Sequence, residues 1–546
     1  MNAKAAKCIA VILLWAMLLT GCAQSEGGTA SGGVVSVQAS TVGRYLAIAT
    51  SDTDTFDPQC TSDHYLVALN VFDRLVEVSV DREGRTKIVP SLAESWEISE
   101  DGYVYTFHLR QDVTYSNGSP LTASDVRYTM MRLLTNPDSC NQDVVSAVFG
   151  AEALREGRLQ TLAGFIIHND YEFAIVLSQP YAAFLACLST PGASVLDQES
   201  TTMAGRLFGK TAQYTVGTGP FVMEDWKPGV EMKLKANQKC WSGPPRCGGM
   251  TVRIVSDSES QRLLFENGTL DILDLDNMGT EAEYFYHGDI YQKKLRRGSR
   301  VGINYIALNS SIQPLNDVRV RKALQLALDR EMLLKAMVGG RGQVENGIFP
   351  RGLIGHNARL PEIPFDLNRA RELLEEAGYP DGFDLEISVP SDALQNRTEL
   401  AELAAAMWRK AGVNARVVLV DADTFMTRRR AGAVSCYINQ WSADFNDPDN
   451  FIYTFFGTER NTRTRSLCYG NEAIMERVCK ARGIVDENAR LQEYQELERI
   501  IVQDDAAWIP LYSQQHYFVV SDRVGGFKVA WNGWSNTNYR DVVLLE

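Results

Sequence analysis

The chain has 546 residues, 45% of them hydrophobic and 22% charged, and a formal net charge of −14. One hydrophobic core stops growing near roughly 250–300 residues, so two or three domains are expected. The acidic excess repels polyanions and counts against nucleic acid as a partner.

Lys4 and Lys7 precede the apolar run Ile9 to Leu19, which falls short of the roughly 20 residues a bilayer span needs. This is the pattern of a signal peptide over residues 1–21. It closes on "LLTGC", which resembles a bacterial lipobox and makes Cys22 the expected lipid-bearing N-terminus of the mature chain. Residues 22–40 are Gly/Ser-rich, the composition of a flexible tether. Lys4 and Lys7 are the leader's only charges, so its removal takes the formal charge to −16.

From residue 42 to about 212 short strands are expected to dominate. "YVYTFHLRQDV" alternates Tyr103, Tyr105, Phe107 and Leu109 on one face, the period of a half-buried strand. After a turn at Asn117-Gly118, Thr122 and Asp125 form a capping box, and Val126, Met130 and Leu133 give the helix behind it one apolar stripe. A second unit opens near "VGTGPFVMEDWKPG" and turns beta-rich from Met232 to Ile254. A third opens on the apolar strand "VGINYIALN". One amphipathic helix is predicted next, with Val320, Leu324, Ala327 and Leu328 inward and Gly339-Gly340 as its stop. Asp366 then caps a helix that buries Leu373, Leu374 and Ala377 and ends at Gly378. The alternation continues through "DLEISV", "ELAELAAAMWRKAGV", "ARVVLV" and "ADTFMTRRRAG", which argues an α/β domain.

The stretch from Asn439 to Phe451, "NQWSADFNDPDNF", crowds Trp441 and Asp444 into one loop. A calcium loop of EF-hand type fails there, because Pro448 stands at its third ligand position. A solvated turn and a pocket for a cation remain. No nucleophile elbow, phosphate cradle or C-x-x-C occurs, and none of the six histidines pairs with another at i, i+4. No metal and no cofactor is expected, and the absent nucleophile and metal motifs count against a secreted hydrolase. Of the eight cysteines after Cys22, Cys240 and Cys247 bracket the Pro/Gly turn "WSGPPR" and are the expected disulfide.

Several stretches in order, among them "VPSLAESWEISEDGYVYTFHLRQDV", "VGTGPFVMEDWKPG", "GINYIALN", "PLNDVRVRKALQLALDREMLL" and "FDLNRARELLEEAGYPDGFDLEI", resemble the solute-binding proteins of peptide/nickel ABC transporters. The resemblance implies an α/β, type II periplasmic-binding-protein fold: two hinged lobes with an extra domain inserted near the N-terminus. Lobe I would comprise residues 41–72, 213–298 and 520–546, the inserted domain 73–212, and lobe II 299–519. The implied function is capture of a peptide or related amine-bearing solute by a monomer, held at the membrane by Cys22, for an ABC permease. Binders of nickel chelates or opines, and sensors that feed no permease, are the alternatives.

In peptide-binding members the aspartate of such a W-x-x-D loop pairs with the ligand's ammonium, a role that falls here to Asp444 with Trp441 as a wall; Asn439 joins them as a candidate. Dipeptide binders carry an arginine shortly after the strand equivalent to "LEISV". Here "PSDALQNRTE" offers only Arg397, late in the stretch. The cluster Arg428, Arg429 and Arg430 reads as a solvated helix end.

Overall fold

The computed structural model describes residues 44–545 apart from 62–63, 82–83, 394 and 533–536. Cys22, the leader and the tether lie outside the described residues. The first strands are β1 (Tyr45–Thr50), β2 (Val76–Val80), β3 (Thr86–Pro90), β4 (Ala93–Ile98), β5 (Val104–Leu109), β6 (Phe165–Asn169) and β7 (Glu172–Val176). Next come β8 (Phe221–Lys227), β9 (Glu231–Ala236), β10 (Gly249–Ile254), β11 (Ile272–Asp274) and β12 (Leu295–Ser299). Then follow β13 (Gly302–Leu308), β14 (Gly342–Val344), β15 (Asp384–Pro390), β16 (Asn414–Val420), β17 (Cys436–Ser442) and β18 (Trp508–Val520), with the short strands Val524–Gly525 and Val543–Leu544 after them.

Twelve of these strands hydrogen-bond into one sheet, ordered β16-β15-β17-β13-β18-β11-β1-β10-β9-β8, with β12 and β14 also paired to β18. Residues 93–176 supply a separate sheet, β4-β5-β7-β6. Tyr105, Phe107 and Leu109 are buried as their alternation demands, whereas Tyr103 stays outside the strand and exposed. Behind this sheet lies the helix Ala123–Thr135. Its Thr122–Asp125 capping box is formed, and it buries Val126, Met130 and Leu133.

Strand β18 lies inside the large sheet and links its two halves. Its Trp508–Tyr512 half pairs with β13, and its second half pairs with β12 from Gln515 and with β11 from Phe518. Strand β13 is buried on both faces, with Ile306 and Leu308 in one apolar cluster and Ile303, Tyr305 and Ala307 in another. Such two-faced burial explains why it reads as a continuous apolar run. Strand β17 divides the same way, Ile438 on the first cluster and Tyr437 and Trp441 on the second.

Two expectations are corrected. The long helix predicted after Asn316 is two, Val318–Leu326 and Arg330–Val338, although Val320, Leu324, Ala327 and Leu328 are all buried as expected. Asp329 breaks it by accepting from the Met332 N–H (2.9 Å), and the second piece ends on left-handed Gly339. The Cys240–Cys247 disulfide is not formed, and both thiols are free and buried. The Cys240 Sγ turns to the Ser242 hydroxyl (3.3 Å), while Cys247 packs into the apolar cluster with Leu46, Leu234 and Met250. The turn between them does not aim one sulfur at the other.

Candidate functional site

Strand β17 makes its last rung at Ser442, and Ala443 still donates to the Val301 carbonyl (2.8 Å). Pro448 then starts a helix over Asp449–Phe456, which suits its fixed φ and missing N–H. Residues 443–448 are pinned between these two elements. Beside them opens a cavity of about 870 Å³. One wall is Ala443, Asp444, Phe445, Asp449, Asn450 and Tyr453, and the opposite wall carries Asn141, Asp143, Ser178, Tyr181 and Thr190.

The three aspartates of the loop have different partners. Asp447 receives two hydrogen bonds from the Arg490 guanidinium (2.7 and 2.8 Å), both residues being buried. Asp449 is paired with Arg482 (2.9 Å), whose guanidinium lies over the rings of Tyr453 (3.7 Å) and Tyr181 (4.7 Å). Asp444 has no ion pair among the described residues. Its carboxylate accepts from the Asn450 side-chain amide (3.0 Å), and its own N–H donates back to Asn450 Oδ1 (3.1 Å). Burial raises the pKa of Asp444; the Asn450 bond and the charge of Arg465 oppose this, and Asp143 adds to it. Unlike Asp447 and Asp449, Asp444 keeps an exposed side chain at the cavity, and it is the carboxylate of the three that is open to a cation.

Trp441 stands behind Asp444 rather than in the wall. Its Nε1–H donates to Asn450 Oδ1 (3.2 Å) and its ring meets Phe455 edge-on. One face carries the Arg465 guanidinium, 4.9 Å from the ring centroid. A protein cation thus already takes the π face that sequence reasoning offered to a ligand. Asn439 is half-buried on β17 opposite Tyr305, on the Trp441 side of the strand. Arg397 is half-buried in the helix Gln395–Lys410. Neither belongs to the described wall of the cavity.

Tyr181 and Arg482 were missed because no motif marks them and their partners lie far off along the chain, while Asn450, inside the singled-out stretch, was missed because nothing in the sequence says which of its polar side chains bonds Asp444 and Trp441. A second such group is Asp274, Asp276 and His516, the sole set of three metal-capable side chains brought together among the described residues. His516 is buried with Nε2 3.1 Å from Asp274 and Nδ1 2.7 Å from Asp276, while Arg300 reaches Asp276 (3.2 Å). Both ring nitrogens face carboxylates, so the cluster is an ion-pair knot on β18, away from the cavity.

Residues 87–463 match the family model described as "Bacterial extracellular solute-binding proteins, family 5 Middle". The chain is 28% identical over 527 residues to "Heme-binding protein A" of Haemophilus influenzae, covering 94% of each. It is 27% identical to "Dipeptide-binding protein" of Escherichia coli, covering 90% of this chain and 93% of the relative. The structure of HbpA2 from Haemophilus parasuis superposes with a TM-score of 0.79 at 27% identity, over 92% of this chain and all of the other.

Proposed function

The chain belongs to the bacterial extracellular solute-binding proteins of family 5, with their two-lobed α/β fold, and on that premise we propose that it captures a short peptide by its free amino terminus. A single observation carries this reading: of the three loop aspartates, Asp447 and Asp449 are neutralised by arginines, and Asp444 is left facing the cavity without one. An ammonium group meets that unpaired carboxylate best, and closure of the lobes over the two charges excludes water and strengthens their attraction. The proposed lobes are those of the expected division, residues 41–72, 213–298 and 520–546 against 299–519, with 73–212 inserted. Strand β18 joins them, and its change of partners between Tyr512 and Gln515 puts the proposed hinge there, a few residues before the expected division at 519/520. Closure follows from contacts that are complete only when the lobes meet, so ligand shifts the population toward the closed form. Lipid on Cys22 and delivery to an ABC permease complete the proposal.

The heme-binding relative supports a second reading, since Cys140 and Tyr65, side chains of iron-ligating type, line the cavity. Asp143 and Asp444 in the same walls oppose the propionates of a heme. Native mass spectrometry of the protein purified without denaturant separates the two. An intact peptide is expected, with a radius of gyration that falls on rebinding. A heme mass with a Soret band, or a peptide recovered as cleaved products, would overturn the proposal.

A further inference from the structure

The eight cysteines among the described residues are free thiols, and two that stand far apart in the chain meet in the fold. The Gln59 carbonyl accepts from the Cys140 N–H (2.9 Å). That oxygen belongs to the peptide unit entering Cys60, so bond lengths alone hold the Cα atoms of Cys60 and Cys140 within about 7 Å of each other, inside the outer limit for a disulfide. The contact is pinned from the next residue. The Asn141 side-chain amide donates to the carbonyls of Pro58 (3.3 Å), Gln59 (3.4 Å) and Thr61 (2.9 Å), on both sides of Cys60. Asn141 Oδ1 in turn accepts from the Tyr65 hydroxyl (3.2 Å).

Both sulfurs engage the same short turn, from Asn136 to Cys140. The half-buried Cys60 Sγ accepts from the Asn136 amide (3.2 Å) and donates to Asp57 Oδ2 (3.2 Å), while the exposed Cys140 Sγ lies 3.8 Å from the Asp138 carbonyl. With the backbones already bonded, bridging asks for rotation about the two Cα–Cβ bonds, between staggered wells that such side chains exchange readily. Burial, and after it the Asp57 charge, push the Cys60 thiol up to about 12, so the exposed Cys140 is the thiol an oxidant meets first.

We infer that Cys60 and Cys140 close into a disulfide outside the cytoplasm, bracing the cavity wall that carries Cys140, Asn141 and Asp143. The bond forms by exchange with a disulfide oxidant. The Cys140 thiolate attacks it and one thiol leaves; the Cys60 sulfur then displaces the second, its proton passing by way of Asp57 to water. The two cysteines lose two protons and two electrons, and the oxidant's disulfide becomes two thiols. The bridge ties proposed lobe I to the proposed inserted domain and closes a loop of about 80 residues, which restricts the unfolded chain more than a short loop does. It also withdraws Cys140 from the groups able to ligate iron. The inference needs no particular ligand and stands or falls apart from the peptide reading.

The test is a thiol map of the full chain, purified without reductant and exposed to oxidised glutathione. Free thiols are alkylated, and the protein is then denatured and digested for mass spectrometry. The Cys60 and Cys140 peptides should appear as one linked species, lighter by two hydrogens than their sum, while the exposed Cys479 is alkylated. Reductant should lower the melting temperature of wild type by several degrees. Cys60→Ser and Cys140→Ser should both start at that lower value and ignore reductant, and the double variant should fall no further, because either change deletes the same bond. Alkylation of both Cys60 and Cys140, or a bridge from either to another cysteine, overturns the inference. A linked pair whose reduction leaves the melting temperature unchanged overturns the bracing role. Should the variants fail to fold, the wild-type map and its response to reductant still decide.

Discussion

Replacing Asp444 with Asn removes a charge and almost nothing else. The variant keeps an oxygen to accept from Asn450 and an N–H to donate to it, so the turn from β17 into the helix at Asp449 is retained. Desolvation is the first cause of the raised pKa at Asp444, but the side chain is exposed and no protein cation pairs with it among the described residues, so the unliganded fold gains little from that charge. Neutralising it should leave the melting temperature unchanged or slightly higher. Bound ligand behaves oppositely. Truncating one partner of a buried charge pair costs about 2–5 kcal/mol, a loss of roughly 30-fold to several-thousand-fold in affinity. Isothermal calorimetry on a double-mutant cycle isolates the pair: wild type and Asp444→Asn, each with a peptide and its N-acetyl derivative. Acetylation should hurt wild type by the full amount and the variant little, because both changes delete one interaction. Additive losses would refute the pairing. So would a lower melting temperature with unchanged affinity, which would make Asp444 a turn residue. Because the raised pKa must be overcome to ionise the carboxylate, affinity for an amine should also fall on acidification, starting above the ordinary carboxylate range.

Burial lowers the pKa of His516, but Asp274 and Asp276 more than reverse this and bring it to about 9. That stabilisation is complete below the unfolded value near 6.5 and is lost as pH rises through about 9. The melting temperature should therefore drop across that window in wild type and much less in His516→Gln; parallel curves would contradict the ion-pair assignment. Arg482→Ala strips Asp449 of its partner and Tyr453 and Tyr181 of their cation. A loss of about 3–5 kcal/mol in urea unfolding is expected, with Arg482→Lys retaining part of it; a change under about 1 kcal/mol would show the pair to be solvent-screened. Cys22→Ala should release the protein from the membrane fraction, since two lipid signals are needed for stable anchoring, and fatty-acid labelling of the variant at the wild-type level would exclude that cysteine as the anchor.

Local signals placed most of the elements. The Thr122–Asp125 box, the Asp366 cap and the Gly378 stop act within one turn of backbone, so residue order suffices to reveal them. Strand β13 was legible because both of its faces are buried, and the W-x-x-D stretch singled out Asp444, which the structure places at the cavity. What failed at short range failed for a physical reason: Asp329 outcompeted a continuous apolar stripe, and the turn at Cys240 did not turn the sulfurs toward each other.

Which charges are spent inside the fold was decided only by tertiary structure. Asp444, Asp447 and Asp449 are alike in sequence, and their difference rests on Arg490 and Arg482, 43 and 33 residues from the acids they neutralise. The same holds for Arg465, which takes the Trp441 face from across a helix, and for His516, whose carboxylates lie more than two hundred residues away. Chain pattern reports what a residue does to its own backbone, whereas a buried charge is settled by whatever the fold brings within a few ångströms of it.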